Sequence, residues 1–127
     1  MKLRIKGNSL RLRVTRSELA RLLRGEEIEE TVRFGPSPEA RLSYALVARQ
    51  QSPPVSVDCN LPKLTVALSK EQAKIWSSES EVGVYASLDA GSAGPLEVIV
   101  EKDFACLDRS DEDNADTFAN PHAGQTC

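Results

Sequence analysis

Residues 9–25 read SLRLRVTRSELARLLRG, and residues 63–79 read KLTVALSKEQAKIWSSE. In the first stretch Leu10, Leu12 and Val14 alternate with Arg11 and Arg13, the pattern of a strand with one buried and one solvated face. Thr15 and Glu18 then stand at capping-box spacing, where a hydroxyl and a carboxylate satisfy free N–H groups at a helix start. Leu19, Leu22 and Leu23 give that helix an apolar stripe, and Gly25 ends it. The second stretch has the same order 54 positions later. Leu10, Leu12 and Val14 fall on Leu64, Val66 and Leu68, Thr15 and Glu18 fall on Ser69 and Gln72 as a second capping box, and Leu22 falls on Trp76.

Upstream, Leu3 and Ile5 form a short strand joined to the next by a Gly7-Asn8 hairpin turn. Beyond the helix, Ile28, Val32 and Phe34 form one strand and Leu42, Tyr44 and Leu46 another. At the same offset these fall on Val82, Ala86 and Leu88 and on Leu96, Val98 and Val100, with no gap required. The expectation is an α+β fold with a tandem strand-strand-helix-strand-strand duplication and a mostly antiparallel sheet. Its two helices cover one face of that sheet, or plug the ends of a sheet curled toward a barrel. A chain of 127 residues suits a single domain over 1–127. Its pseudo-repeats span about 1–50 and 55–102, with Pro53-Pro54 at the seam and an acidic tail at 103–127.

Charge is unevenly spread. Residues 1–24 hold eight Lys or Arg against Glu18 alone, while residues 101–116 hold seven acids against Lys102 and Arg109, so the two ends can attract each other. The net charge of −3 argues against nonspecific nucleic-acid binding by the whole molecule. Phe34, Tyr44 and Trp76 fall on apolar faces, which argues against base stacking and sequence-specific reading. Strands laid side by side put Lys2, Arg4, Lys6, Arg11, Arg13, Arg33 and Arg41 opposite the leucines, with Glu27, Glu29, Glu97 and Glu101 on the same face. Antiparallel sheets commonly solvate such a face and pair its charges across strands. In the sharper reading, Arg4, Lys6, Arg11 and Arg13 converge on a phosphate-rich anion. That layout is similar to triphosphate tunnel enzymes, whose barrel lumen is lined by Lys, Arg and Glu and binds a metal. The resemblance implies a metal-dependent phosphohydrolase. The hallmark Glu-x-Glu-x-Lys of those enzymes stands here as KLRIK at residues 2–6, without the metal-holding carboxylates.

Catalytic signatures are scarce. Cys106, His122 and Cys127 could supply soft ligands to zinc, with Asp108 as a fourth, but their spacing matches no compact zinc module. Asp111, Asp113 and Asp116 lack the glycine and distal glutamate of a calcium loop. Cys106 with His122 as base lacks a nameable orienting group. Gly91, Ser92 and Gly94 fail the spacing of a nucleophile elbow. No phosphate loop or dinucleotide fingerprint occurs. The expectation is therefore a non-enzymatic binding or interaction module with no cofactor and no catalytic residues. Its partner would be another protein, a small anion or a second copy of the chain.

Lys2, Arg4 and Lys6 interrupt every apolar run before a secretory signal could form, and no stretch has the length to span a bilayer. Three cysteines, an odd number, suit a reducing compartment. These features point to the cytoplasm and to no membrane partner.

KLRIKGNSLRLRVTRSELARL at residues 2–22 and LEVIVEKDFACLDR at residues 96–109, with Asn120-Pro121 near the C-terminus, carry a further signal. With these motifs the chain resembles a family of small bacterial proteins of unknown function. The resemblance implies a stand-alone cytoplasmic bacterial protein and brings no activity with it.

Overall fold

The computed structural model describes residues 1–104 and 115–119. Its elements run β1 (Lys2–Lys6), β2 (Ser9–Val14), α1 (Arg16–Leu23), β3 (Ile28–Arg33), β4 (Arg41–Arg49), β5 (Val55–Asn60), β6 (Lys63–Ser69), α2 (Lys70–Trp76), β7 (Gly83–Asp89) and β8 (Pro95–Lys102). The class is α+β. The strands divide into two four-stranded sheets, ordered β1-β2-β8-β7 and β3-β4-β6-β5, and the sheets are not closed into a barrel. The curled single sheet is thereby corrected: neither edge of one sheet pairs with an edge of the other.

Each sheet is two hairpins joined through a central parallel pair. β1-β2, β3-β4, β5-β6 and β7-β8 are antiparallel, whereas β2-β8 and β4-β6 are parallel. The β1-β2 turn follows its sequence: Lys6 faces Ser9 across Gly7-Asn8, and Gly7 takes a φ of 55°, which a side chain would resist. Side chains at even positions of β2 point inward, so Leu12 and Val14 are buried while Arg11 and Arg13 are not. One core gathers Leu12, Val14, Val84, Val98 and Val100 from the first sheet, Ile28, Leu46, Val55, Val66 and Leu68 from the second, and Leu19, Leu22, Ala73 and Trp76 from the helices. Trp76 also donates from Nε1 to the Val82 carbonyl at 3.2 Å.

The helix starts are alike in one half of their chemistry only. At α1 the Thr15 hydroxyl accepts from Glu18 N–H while the Glu18 carboxylate accepts from Thr15 N–H at 3.0 Å, a complete capping box. Gly25, with φ of 87°, follows the α1 C-cap as expected. At α2 the Ser69 hydroxyl accepts from Gln72 N–H at 3.0 Å, but Ser69 N–H donates to the Pro54 carbonyl, also at 3.0 Å. The second capping box is therefore half a box, because Pro54, just ahead of β5, has already satisfied the donor that Gln72 would have taken.

The gap-free alignment also shifts at one strand. Ile28 pairs with Leu46, and the buried residue pairing with Val100 is Val84, not Val82, which precedes β7 and is 40% exposed. The connection between α2 and β7 is two residues longer than that between α1 and β3, spanning 77–82 against 24–27.

Residues 115–119 lie against the start of α1. Arg16 N–H donates to the Asp116 carbonyl at 3.2 Å, and the Asp116 carboxylate accepts from Ser17 N–H at 3.2 Å and from the Ser17 hydroxyl. Phe118 N–H donates to the Asp103 carbonyl at 2.8 Å, and its ring meets Phe104 edge-on. Among the described residues no helix is long and apolar enough to cross a membrane.

Candidate functional site

Strand alternation brings five cations to the outer face of the first sheet. Register places Lys2 across from Arg13, Arg4 across from Arg11 and Lys6 across from Ser9 on β1 and β2. The next strand, β8, sets Glu101 beside Arg13, Ile99 beside Arg11 and Glu97 beside Ser9. β7 completes the rows with Gly83, Tyr85 and Ser87. The face thus runs from basic at the β1 edge to acidic and hydroxylic at β7.

The carboxylates neutralise one corner of it. Glu101 Oε1 lies 3.2 Å from Arg11 Nε and 3.9 Å from Arg13 Nε, while Oε2 accepts from the Tyr85 hydroxyl at 3.3 Å. Tyr85 titrates above the usual phenol range, first because its hydroxyl is partly desolvated and second because Glu101 is beside it. Lys2 reaches Asp103 at 3.2 Å. Gly83 leaves the room that Glu101 occupies, since a Cβ there would stand 3.0 Å from Glu101 Cγ and 3.0 Å from the Val100 carbonyl oxygen.

The rest of the basic face is not neutralised. Arg4 and Lys6 are exposed and have no ion-pair partner among the described residues. Arg4 stands directly across from Arg11, and like charges so placed repel. Arg11 itself is in ion-pair distance of Glu101, yet its Nε–H is not aimed at the carboxylate; that buried nitrogen has no hydrogen-bond acceptor among the described residues. Two small depressions open over these side chains, one of about 150 Å³ bounded by Arg4, Lys6, Ser9, Arg11 and Ile99, the other of about 180 Å³ bounded by Lys2, Leu3, Arg4, Arg11 and Arg13.

The four anion candidates read from sequence, Arg4, Lys6, Arg11 and Arg13, therefore share one face. Arg33 and Arg41 do not join them: they pair with each other at the end of β3-β4, in the second sheet. Glu27 and Glu29 lie near Lys63, at 2.7 and 3.6 Å, in that sheet as well. The side-by-side arrangement of all these charges is corrected by the division into two sheets. The sequence places Glu101 and Asp103 against the basic N-terminal strands, and both meet them there, whereas Tyr85 was not singled out for this face. The alternation of Glu101 and Asp103 at the end of β8 was visible, but only the parallel β2-β8 pairing carries them to the arginines. Cys106, His122 and Cys127, the candidate zinc ligands, lie outside the described residues, among which no cluster of three metal-ligating side chains occurs.

No curated protein and no solved structure matches the chain. The model of a family of unknown function, DUF7009, matches residues 1–122 of the 127. With the strand comb, both capped helices and β8 all inside that match, the chain belongs to this family.

Proposed function

We propose that the protein is a non-enzymatic binding module that takes a small polyanion of the phosphate class on the outer face of β1-β2. The observation that carries this reading is Arg4 directly across from Arg11, with Arg4 and Lys6 exposed and without an ion-pair partner among the described residues. An oxyanion seated over Arg4, Lys6 and Arg11 would relieve the repulsion between the two arginines. The alternative, a phosphohydrolase of tunnel type, needs a closed barrel lumen, whereas the two sheets are not closed into a barrel.

Thermal melts at low salt, followed by the fluorescence of Trp76, test the proposal with tripolyphosphate as probe. A ligand that binds only the folded state adds about 2.7 kcal/mol at a hundredfold excess over Kd, so the melting temperature rises. Salt suppresses the rise through screening. Arg4→Gln with Lys6→Gln removes it and leaves the unliganded melt in place, because neither side chain has an ion-pair partner among the described residues. Reversing Arg11 and Arg13 to Glu would set two new carboxylates beside Glu101 and is the poorer variant. Glu101→Gln instead frees two guanidinium groups and raises affinity for the probe. An unmoved melting curve at low salt makes the face a solvated sheet surface and overturns the proposal.

We also infer that the two halves are equivalent units that exchange hairpins within a bacterial cytoplasmic protein. Support comes from register: Ser9 faces Glu97, and adding 54 to the first and subtracting 54 from the second yields Lys63 and Ser43, which face each other in β4-β6. The reducing compartment is supported by the odd cysteine count and by Cys59 standing exposed and free.

A further inference from the structure

We propose that the cleft between the C-terminal end of α1 and the face of α2 binds a small amphipathic anion, a medium-chain carboxylate whose apolar body lies on the floor and whose head meets the lysines of α2. The cleft has a volume of about 440 Å³. That falls within the roughly 300–1,000 Å³ of small-molecule sites. Its floor and apolar wall come from Leu22, Leu23, Ala48 and Ala73. Two alanines at the helix-sheet junction leave the hollow that larger side chains would fill. Leu23, which lines it, stands 47% exposed, an apolar surface that a ligand would cover.

Charge identifies the head group. Arg24, Lys70 and Lys74 stand around this apolar floor. Arg24 is engaged by Glu26 at 3.0 Å, but Lys70 and Lys74 have no ion-pair or hydrogen-bond partner for their ammonium groups among the described residues. One turn apart on one helix, they repel each other. An anion between them removes that repulsion, and neither an uncharged apolar ligand nor a purely inorganic anion uses both halves of the cleft.

The site is separate from the basic sheet face, so the two proposals fail independently. Decanoate below its micelle concentration is the probe, titrated into the full chain and read by the shifts of backbone amide resonances. Saturable binding is expected, with shifts centred on residues 22–25, 48 and 70–77. Lys70→Gln with Lys74→Gln weakens it about tenfold, the worth of one charge-assisted contact, with the Trp76 melt unchanged. Arg4→Gln with Lys6→Gln leaves it as it was. Equal binding of decanol, or of acetate, overturns the proposal by removing the need for one half of the cleft. So does adsorption to anionic vesicles without saturable decanoate binding, or equal binding by the double lysine variant.

Discussion

Arg11 and Lys102 solve opposite problems in the same sheet. Arg11 stays partly open to solvent, its side chain 32% exposed, beside the Glu101 carboxylate at 3.2 Å. Lys102, only 4% exposed, keeps its ammonium by donating to the Ser78 carbonyl at 2.6 Å and by standing 5.4 Å from the centre of the Phe118 ring. Burial nevertheless pulls the Lys102 pKa below the ordinary lysine value of 10.5, with Glu81 and Glu79 opposing the shift. Between the lowered folded value and 10.5 the unfolded chain binds more protons than the folded one, so this group makes stability rise with pH across that window. Tyr44 and Tyr85, whose folded values are raised, act in the opposite sense above pH 10. Urea unfolding of Lys102→Met between pH 8 and 10, compared with the parent chain, should therefore show a flatter rise in midpoint. An identical slope in the two proteins would mean that Lys102 does not titrate differently on folding.

The helices show how a shared motif is used unequally. Thr15 and Ser69 both cap, and replacing either by Ala is expected to cost about 1 kcal/mol. The reciprocal residues differ. Glu18 is buried, holds Thr15 N–H and also takes the Met1 ammonium at 2.5 Å, so Glu18→Ala leaves buried donors unmet and is expected to cost about 1–3 kcal/mol. Gln72 makes no such bond, and Gln72→Ala should stay within about 0.5 kcal/mol of the parent. Denaturant midpoints of the four variants decide it, and equal costs for Glu18→Ala and Gln72→Ala would contradict the asymmetry. The spacing of Thr15-Glu18 and Ser69-Gln72 was legible because capping is local. That Pro54 occupies the Ser69 donor was not, because it depends on the packing of β5 along β6.

At the scale of the molecule, neither half can finish a sheet. The β1-β2 hairpin lies beside β8 from the second half, and β4 from the first half lies beside β6. An isolated fragment of residues 1–52 keeps its hairpins but loses the central parallel pairs and half of the common core. It is expected to show no cooperative melt as a monomer, and to regain one when mixed with a fragment of residues 53–127. A fragment of residues 1–52 that melts cooperatively on its own at monomeric concentration would show that the halves are self-sufficient instead of interlocked.

What the sequence determined by itself was everything set by near neighbours. Alternation at Leu10, Leu12 and Val14 assigns a buried face to β2, Gly7-Asn8 turns the first hairpin, Thr15 starts α1 and Gly25 ends it, and the comb of Lys2, Arg4, Lys6, Arg11 and Arg13 lands on the solvated side. The tertiary structure decided which strands lie side by side. Period-two hydrophobicity says that a strand has an apolar face and says nothing about its neighbour, so two sheets with parallel centres and one mixed sheet read identically. That choice separates Arg33 and Arg41 from the other cations, and it brings Glu101 to Arg11 and Arg13 from about ninety residues away in the chain. The reason is packing: with both sheets against Leu22, Trp76 and their neighbours, one common core takes buried apolar residues from both sheets and both helices.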